Sequence, residues 1–257
     1  MLLAADIGNT NTAIGLYDGE RLVAHWRLTT VPERTADELE IFTRSLLELE
    51  GLTGADVSGV AISSVVPAIT TAFRSVAEDI TSGDVVVVGP GVKTGLVINI
   101  DNPREVGADR VVNAVAARER YGAPCVVVDF GTSTNFDVVG VDGDYLGGSI
   151  APGLVIATNA LISGTAALRG VEFKPPRNAI GRGTVEAIQS GAIYGHAGLV
   201  DGIMERLAAE VGGDVIRVAT GGLASTVVPH CSSVSTIDEF LTLDGLRMIY
   251  DMNRDAP

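Results

Sequence analysis

The chain has 257 residues, 46% of them hydrophobic, and its 32 acidic and 18 basic residues give a formal net charge of −14. That length accommodates two modest domains or one large one with a sizeable core. The negative field repels a phosphate backbone and no apolar run is long enough to span a bilayer, so neither nucleic acid nor a membrane is an expected partner.

The N-terminus, Met1-Leu2-Leu3-Ala4-Ala5-Asp6, has no basic start and reaches an acid too early for a secretory leader, so it reads as a buried strand. Cys125 and Cys231 have neither metal-knuckle nor disulfide-framework spacing, and a cytoplasmic location is expected.

In chain order, residues 2–5 and 12–17 read as strands joined by Gly8-Asn9-Thr10. Residues 21–28 alternate apolar and polar, which predicts a third strand with one wetter face; it carries His25 and Trp26 as sheet residues. Thr35 followed by Glu38 is a capping box that opens a helix, with Leu39, Phe42, Leu46 and Leu49 expected on its buried face and Gly51 placed to end it. Residues 60–64 form a strand, and Pro67 suits the first turn of a helix that buries Ile69, Phe73, Val76 and Ile80. Another strand is expected over 85–88, and a helix opens within Gly107-Ala108-Asp109-Arg110 and runs to Gly122. Strands follow over 125–128, 136–141 and 145–149, with a helix over 153–167, one long helix or two over 184–210, a strand over 215–219 and a terminal helix over 244–252. Three antiparallel strands followed by alternating strands and helices predict an α/β chain with mixed sheets.

One motif recurs. Asp6-Ile7-Gly8-Asn9-Thr10 ends the first strand, and Asp129-Phe130-Gly131-Thr132-Ser133 repeats the design, with Asp to Asp and Gly to Gly both 123 residues apart. An acidic-Gly turn follows in each half, at Asp18-Gly19 and at Asp142-Gly143. The pattern is a duplicated hairpin, with the halves set at 1–122 and 123–257.

A lone Asp-x-Gly is often an Asp that caps its own turn. It also suits a phosphate cradle, in which Gly allows close backbone approach, N–H groups and hydroxyls bind oxygens, and Asp holds a screening cation. Two copies at matched spacing, with a third turn Thr220-Gly221-Gly222 after another strand, favour the cradle. Two phosphate loops across a cleft, with a Gly-Gly turn admitting adenine, is the layout of the actin, heat-shock ATPase and sugar-kinase superfold. The expected fold is therefore a pair of duplicated actin-like ATPase (ribonuclease H-like) domains, mixed sheets flanked by helices. No Walker A lysine motif and no G-x-G-x-x-G after a strand occur.

Phosphoryl transfer to a hydroxyl needs a base, and Asp109 at a predicted helix N-terminus is the candidate, with the helix dipole and Arg110 favouring its ionised form. Spacing alone leaves open an Asp that only stabilises its helix.

The chain resembles the type III pantothenate kinases over essentially its whole length. The matching stretches are Asp6-Ile7-Gly8-Asn9-Thr10, then Asp101-Asn102-Pro103 leading to Gly107-Ala108-Asp109-Arg110, then Asp129-Phe130-Gly131-Thr132. Gly147-Gly148-Ser149-Ile150-Ala151-Pro152-Gly153 and Thr184-Val185-Glu186 complete the series. The resemblance implies ATP-dependent phosphorylation of pantothenate, the first step toward coenzyme A. Asp6, Ile7, Gly8, Asn9, Thr10, Asn11, Thr12 and Ala13 would cradle the ATP phosphates, with Asp6 near Mg²⁺. Asp109 would be the base, and Gly107, Ala108, Asp109, Arg110, Thr184 and the position of Ile100 would bind pantothenate. Asp129 would hold a monovalent cation, K⁺ or NH₄⁺, with Thr132 on ATP and Gly221 and Gly222 on the adenine side. A homodimer with the substrate pocket at its interface is also implied. The sequence departs at Ile100, where relatives often carry Tyr, at Ser133-Thr134-Asn135 for Ala-Thr-Thr, and at Gly183 for Asn. A kinase of the same superfold for another small hydroxy acid, and a silent nucleotide-binding regulator, are the alternative readings.

Overall fold

The computed structural model describes residues 1–164 and 170–254. In chain order the elements are β1 (Leu2–Ile7), β2 (Asn11–Asp18), β3 (Arg21–Thr29), α1 (Ala36–Leu49), β4 (Gly59–Ser64), α2 (Pro67–Ile80) and β5 (Asp84–Val87). Then come α3 (Ala108–Tyr121), β6 (Cys125–Phe130), β7 (Ser133–Val139), β8 (Tyr145–Pro152), α4 (Leu154–Ser163) and α5 (Thr184–Val211). The chain closes with β9 (Ile216–Thr220), α6 (Ala224–Val227), β10 (Thr236–Ile237) and α7 (Leu241–Asn253). The expected helix over 153–167 is seen as α4, and its positions 165–167 lie outside the described residues. Residues 184–210 fall in one helix.

The strands form two five-stranded sheets of matching order, β3-β2-β1-β4-β5 and β10-β9-β6-β7-β8. In each, the Asp-bearing strand is central, antiparallel to the next strand in sequence and parallel to a later one: β1 beside β2 and β4, β6 beside β7 and β9. The register shifts at corresponding places, between Leu16 and Tyr17 and between Val138 and Val139. Duplication therefore extends beyond the motif to strand order and a bulge.

The residues sort into two compact units. The first comprises Met1–Leu96, Asp101–Ala116 and Leu241–Pro257, and the second Val97–Ile100 and Ala117–Phe240. The sequence reading set everything after 122 in the second half, whereas α7 groups with the first unit. Its residues explain why. Tyr17 Oη donates to Asp244 Oδ1 at 2.8 Å, Gly59 leaves room for the Tyr250 ring, and Gly245 lies against the backbone of Val112 on α3.

In the first unit one sheet face, with Leu3, Ile7, Ile14, Leu16 and Ile62, packs under Leu39 and Leu47 of α1 and Ile69, Phe73 and Val76 of α2. The capping box at Thr35 and Glu38 is present. The buried stripe of α1 is Leu39, Thr43 and Leu47, however, while Phe42 and Leu49 are 40% and 74% exposed. Thr43 can face the core because its hydroxyl donates to Leu39 O at 2.8 Å, and Phe42 instead lies under the Arg34 guanidinium, 4.5 Å from the ring centre. In the second unit Val126, Val128, Phe136 and Val138 pack under Leu154, Ile193, Val200 and Met204. No helix among the described residues is long and apolar enough to cross a membrane.

Candidate active site

β1 is buried in the centre of its sheet and releases its chain at Asp6-Ile7, so the turn that follows sits on a rigid support. Gly8 N donates to Asn11 O at 3.0 Å and Thr30 N to Thr10 O at 3.0 Å, which pins the tip to the end of β3. A Cβ at Gly8 would stand 3.0 Å from Asn11 O. Asn9, Thr10 and Asn11 are exposed, Thr12 and Ile7 are buried, and Asp6 and Ala13 are half-buried. The first three are therefore the groups of this turn open to a ligand, with Asp6 behind them. In register, Asp6 lies between Ala13 on β2 and Ser63 on β4.

The chain leaving β4 links this turn to Asp109. Val65 N donates to Ile7 O at 3.1 Å, and a Cβ at Gly107 would lie 3.7 Å from Val65 Cγ1. The same Cβ would stand 2.5 Å from Asp109 Oδ1, so the carboxylate folds back over Gly107 and would have to swing away for a larger residue there. Asp109 Oδ1 accepts from Arg110 N at 2.9 Å. Burial raises the Asp109 pKa above its ordinary 3.8, outweighing the Arg110 N–H and guanidinium, which lower it. The helix dipole and Arg110 were expected to favour the ionised form; Arg110 does pull the pKa down, but desolvation is the larger influence and the net shift is upward. Ala108 opens α3, and the Asp101-Asn102-Pro103 stretch before it is exposed, with Asn102 Nδ2 donating to Glu105 Oε1 at 2.7 Å.

In the second unit Asp129 lies in register between Asn135 on β7 and Thr220 on β9. Its turn is closed by Gly131 N donating to Ser133 O at 3.0 Å, and Ser133 Oγ donates to Asn135 Oδ1 at 2.8 Å. Gly221 has φ +91°, and a Cβ there would overlap Asp129 Oδ1 and stand 2.6 Å from Phe130 N. The Gly221-Gly222 turn is thus seated directly on the Asp129 carboxylate, while Gly222 is exposed. Gly153 holds the turn from its other side: a Cβ there would overlap Thr132 O. The sequence reading gave Gly153 no role. Nothing in one sequence tells a glycine packed on a distant loop from a helix-start glycine.

Ile100 is half-buried beside β8, 3.5 Å from where a Cβ on Gly147 would lie. Thr184 is the exposed first residue of α5. Gly183 before it supplies no side-chain cap, and Glu186 instead accepts from Arg182 N at 3.1 Å.

The donor chemistry fits the implied cations. Mg²⁺ in kinase sites is held by one or two carboxylates together with substrate phosphates and water, so the single carboxylate of Asp6 beside an open turn suffices. Among the described residues no group of three or more His, Cys, Asp or Glu side chains is placed to hold a metal alone. At Asp129, a half-buried carboxylate in register with Asn135 and Thr220, whose side chains carry an amide oxygen and a hydroxyl, suits a hard monovalent cation.

The family model for type III pantothenate kinase matches residues 2–206. A type III pantothenate kinase of Myxococcus xanthus is 50% identical over 253 residues, covering 98% of this chain and 99% of that one. The chain belongs to the type III pantothenate kinase family. Solved structures similar to this family member include a conserved putative Baf family transcriptional activator from Campylobacter jejuni, with TM-score 0.57, 17% identity and coverage of 98% of both chains. A putative N-acetylglucosamine kinase from Porphyromonas gingivalis gives TM-score 0.51, 13% identity and coverage of 98% of this chain and 99% of that one. At such identities they speak for the fold, the duplicated actin-like ATPase architecture.

Proposed function

We propose that this protein transfers the γ-phosphoryl group of ATP to the primary hydroxyl of pantothenate, in the cytoplasm and as a homodimer. The reading is carried by the 50% identity to a named type III pantothenate kinase over nearly the full length of both chains. The alternative acceptor, another small hydroxy acid, rests on Ile100 in place of the family's frequent Tyr.

Asp109 takes the hydroxyl proton. Its raised pKa makes it a better acceptor than an exposed carboxylate, and it acts in its ionised form. Because phosphoryl transfer runs through a loose transition state, orienting the hydroxyl and receiving the proton late is sufficient. Arg110 offers a cation to the pantothenate carboxylate, with Gly107 and Ala108 beside it in the chain, and Ile100 and Thr184 are the further residues assigned to pantothenate. Asp6 and the turn from Ile7 to Ala13 hold the phosphates and Mg²⁺; when bound, that ion neutralises charge on the phosphate oxygens. Asp129 holds K⁺ or NH₄⁺, Thr132 contacts ATP, and Gly221 and Gly222 leave space for adenine. Supporting a subunit interface, the edge strand β8 carries exposed Leu146 and Ile150, the latter 67% exposed, and Val185 is exposed at the start of α5.

The test is a coupled ADP-release assay with pantothenate in K⁺ and in Na⁺. The expected result is K⁺-dependent turnover that Asp129→Asn abolishes. No ADP release with pantothenate in K⁺ would sink the assignment, and turnover with another hydroxy acid alone would transfer it. Equal rates in Na⁺ and K⁺ would remove the role given to Asp129.

A further inference from the structure

Two adjacent serines end β4, and they behave differently. Ser64 Oγ receives the Thr70 hydroxyl at 2.6 Å and the Val66 N–H at 3.1 Å, so its role is to stitch the start of α2 to the strand. Ser63 is 0% exposed, and its Oγ has no hydrogen-bond partner among the described residues. Leaving a buried hydroxyl unsatisfied is costly, and an alanine at this position would avoid that cost.

Its place in the sheet gives the hydroxyl a use. Ser63 is the register partner of Asp6 on the parallel neighbouring strand, so both side chains leave the same sheet face about 5 Å apart. On the other flank Asp6 meets Ala13, which has no polar side chain. The second unit repeats the arrangement: Thr220, 1% exposed, is the register partner of Asp129 on its parallel neighbour. Both motif carboxylates thus have a buried hydroxyl at the same position of a duplicated sheet, where the two strands otherwise carry aliphatic residues such as Val60, Ile62, Val218 and Ala219.

We propose that Ser63 is a positioning residue for the Asp6 carboxylate, its hydroxyl donating to that carboxylate when a divalent cation and nucleotide are bound. The inference rests on the proposed function, which gives Asp6 its place near Mg²⁺. A donor behind a metal-facing carboxylate fixes which oxygen lone pair faces the ion, and such outer partners typically govern about 10- to 100-fold in metal affinity. Such a bond gives a use to a hydroxyl that has no other partner among the described residues, at the end of an otherwise well-packed strand.

The test compares the unaltered protein with Ser63→Ala and Ser63→Thr, the latter keeping a hydroxyl of the type found at Thr220. Calorimetric ADP binding is titrated against Mg²⁺, and the melting temperature is measured without ligand. In S63A the Mg²⁺ concentration giving half-maximal ADP binding is expected to rise about tenfold. The ligand-free melting temperature should stay level or rise, and the KM for pantothenate should not change. S63T should restore the metal dependence. S63A with unaltered Mg²⁺ dependence overturns the inference, as does a several-degree fall in its ligand-free melting temperature, which would mark the hydroxyl as structural. An unaltered protein that binds ADP without any Mg²⁺ dependence overturns the proposed metal role of Asp6, and this inference with it.

Discussion

The two Asp-Gly turns share a strand order and a bulge position, yet they are built differently at the point where a ligand would sit. Asp6 pairs across its hairpin with Ala13, and Asp129 with Asn135, so the second turn is one residue shorter. Its closing hydrogen bond runs from Gly131 to Ser133, whereas the first spans Gly8 to Asn11. The longer turn exposes three consecutive polar residues, and the shorter one is gripped by Gly153 and Gly221. A loop with exposed polar groups suits oligophosphate; a carboxylate clamped by its neighbours suits a single ion. Duplication supplied two frames, and one residue of turn length separates their geometry.

The proposed base, Asp109, belongs to neither turn, and removing it is expected to have the largest effect. Asp109→Asn should lower turnover by about 10²- to 10⁴-fold while ADP binding persists. In the parent enzyme, kcat/KM should fall on the acid side with an apparent pKa above the ordinary carboxylate value of 3.8, because burial raises Asp109. The same shift has a stability consequence of defined sign. With its folded pKa raised, Asp109 destabilises the protein when ionised, and stability returns as pH falls through that pKa. Asp109→Asn should therefore melt higher than the parent at neutral pH, at about 2–4 °C per kcal/mol relieved, and lose that advantage in acid. Melting curves at neutral and acid pH check this; near-normal turnover in the variant would remove Asp109 from the mechanism.

The contrast between the turns makes the next prediction. At Gly221 an added methyl meets backbone and the Asp129 carboxylate at a positive φ, so Gly221→Ala should cost about 2–4 kcal/mol of folding stability. At Gly8 the obstacle is a single carbonyl at 3.0 Å, and Gly8→Ala should cost less than about 1 kcal/mol. Its effect should appear instead in the KM for ATP, since the methyl stands where the proposed function has the backbone approach phosphate. Equal losses of stability in the two variants, by urea denaturation, would erase the distinction between an open and a clamped turn.

Much of this was legible because local chemistry and tertiary demand agree. The capping box at Thr35, Pro67 at the start of α2 and the positive-φ Gly51 and Gly122 after α1 and α3 each satisfy a backbone requirement that neighbouring residues announce. Where the readings diverged, the deciding term was long-range. The stripe of α1 shifted because a threonine can satisfy its own hydroxyl and enter the core, which periodicity of apolar residues does not register. The raised pKa of Asp109 depends on burial, for which its local sequence carries no signal. Ser63 was invisible beside Ser64 because two adjacent serines look alike until a sheet sends them to opposite faces. The motif positions themselves, Asp6, Gly8, Asp129, Gly131 and Gly221, were readable because close approach and tight turns restrict residue choice at the site itself.

A smaller difference between the halves lies just behind each turn. Thr12 and Thr134 are the register partners of Ile7 and Phe130, and both are buried. Thr12 Oγ1 pairs with the Thr30 hydroxyl at 2.9 Å, and Thr134 Oγ1 with His196 Nε2 at 2.8 Å. Valine at either position leaves one buried polar partner unsatisfied and should cost about 1 kcal/mol. Only the second pair couples to pH. Burial lowers the His196 pKa below its ordinary 6.5, so the unfolded chain takes up a proton more readily than the folded one as pH falls. The stability tied to a neutral His196 is thus present above pH 6.5 and is lost as the solution becomes more acidic. His196→Gln, which keeps a hydrogen-bonding group for Thr134 without titrating, should flatten the decline in melting temperature between neutral and mildly acid pH, whereas Thr12→Val should lower the whole curve without changing its shape. Parallel curves for His196→Gln and the parent would show that the second turn's support does not titrate, leaving turn length as the main distinction between the halves.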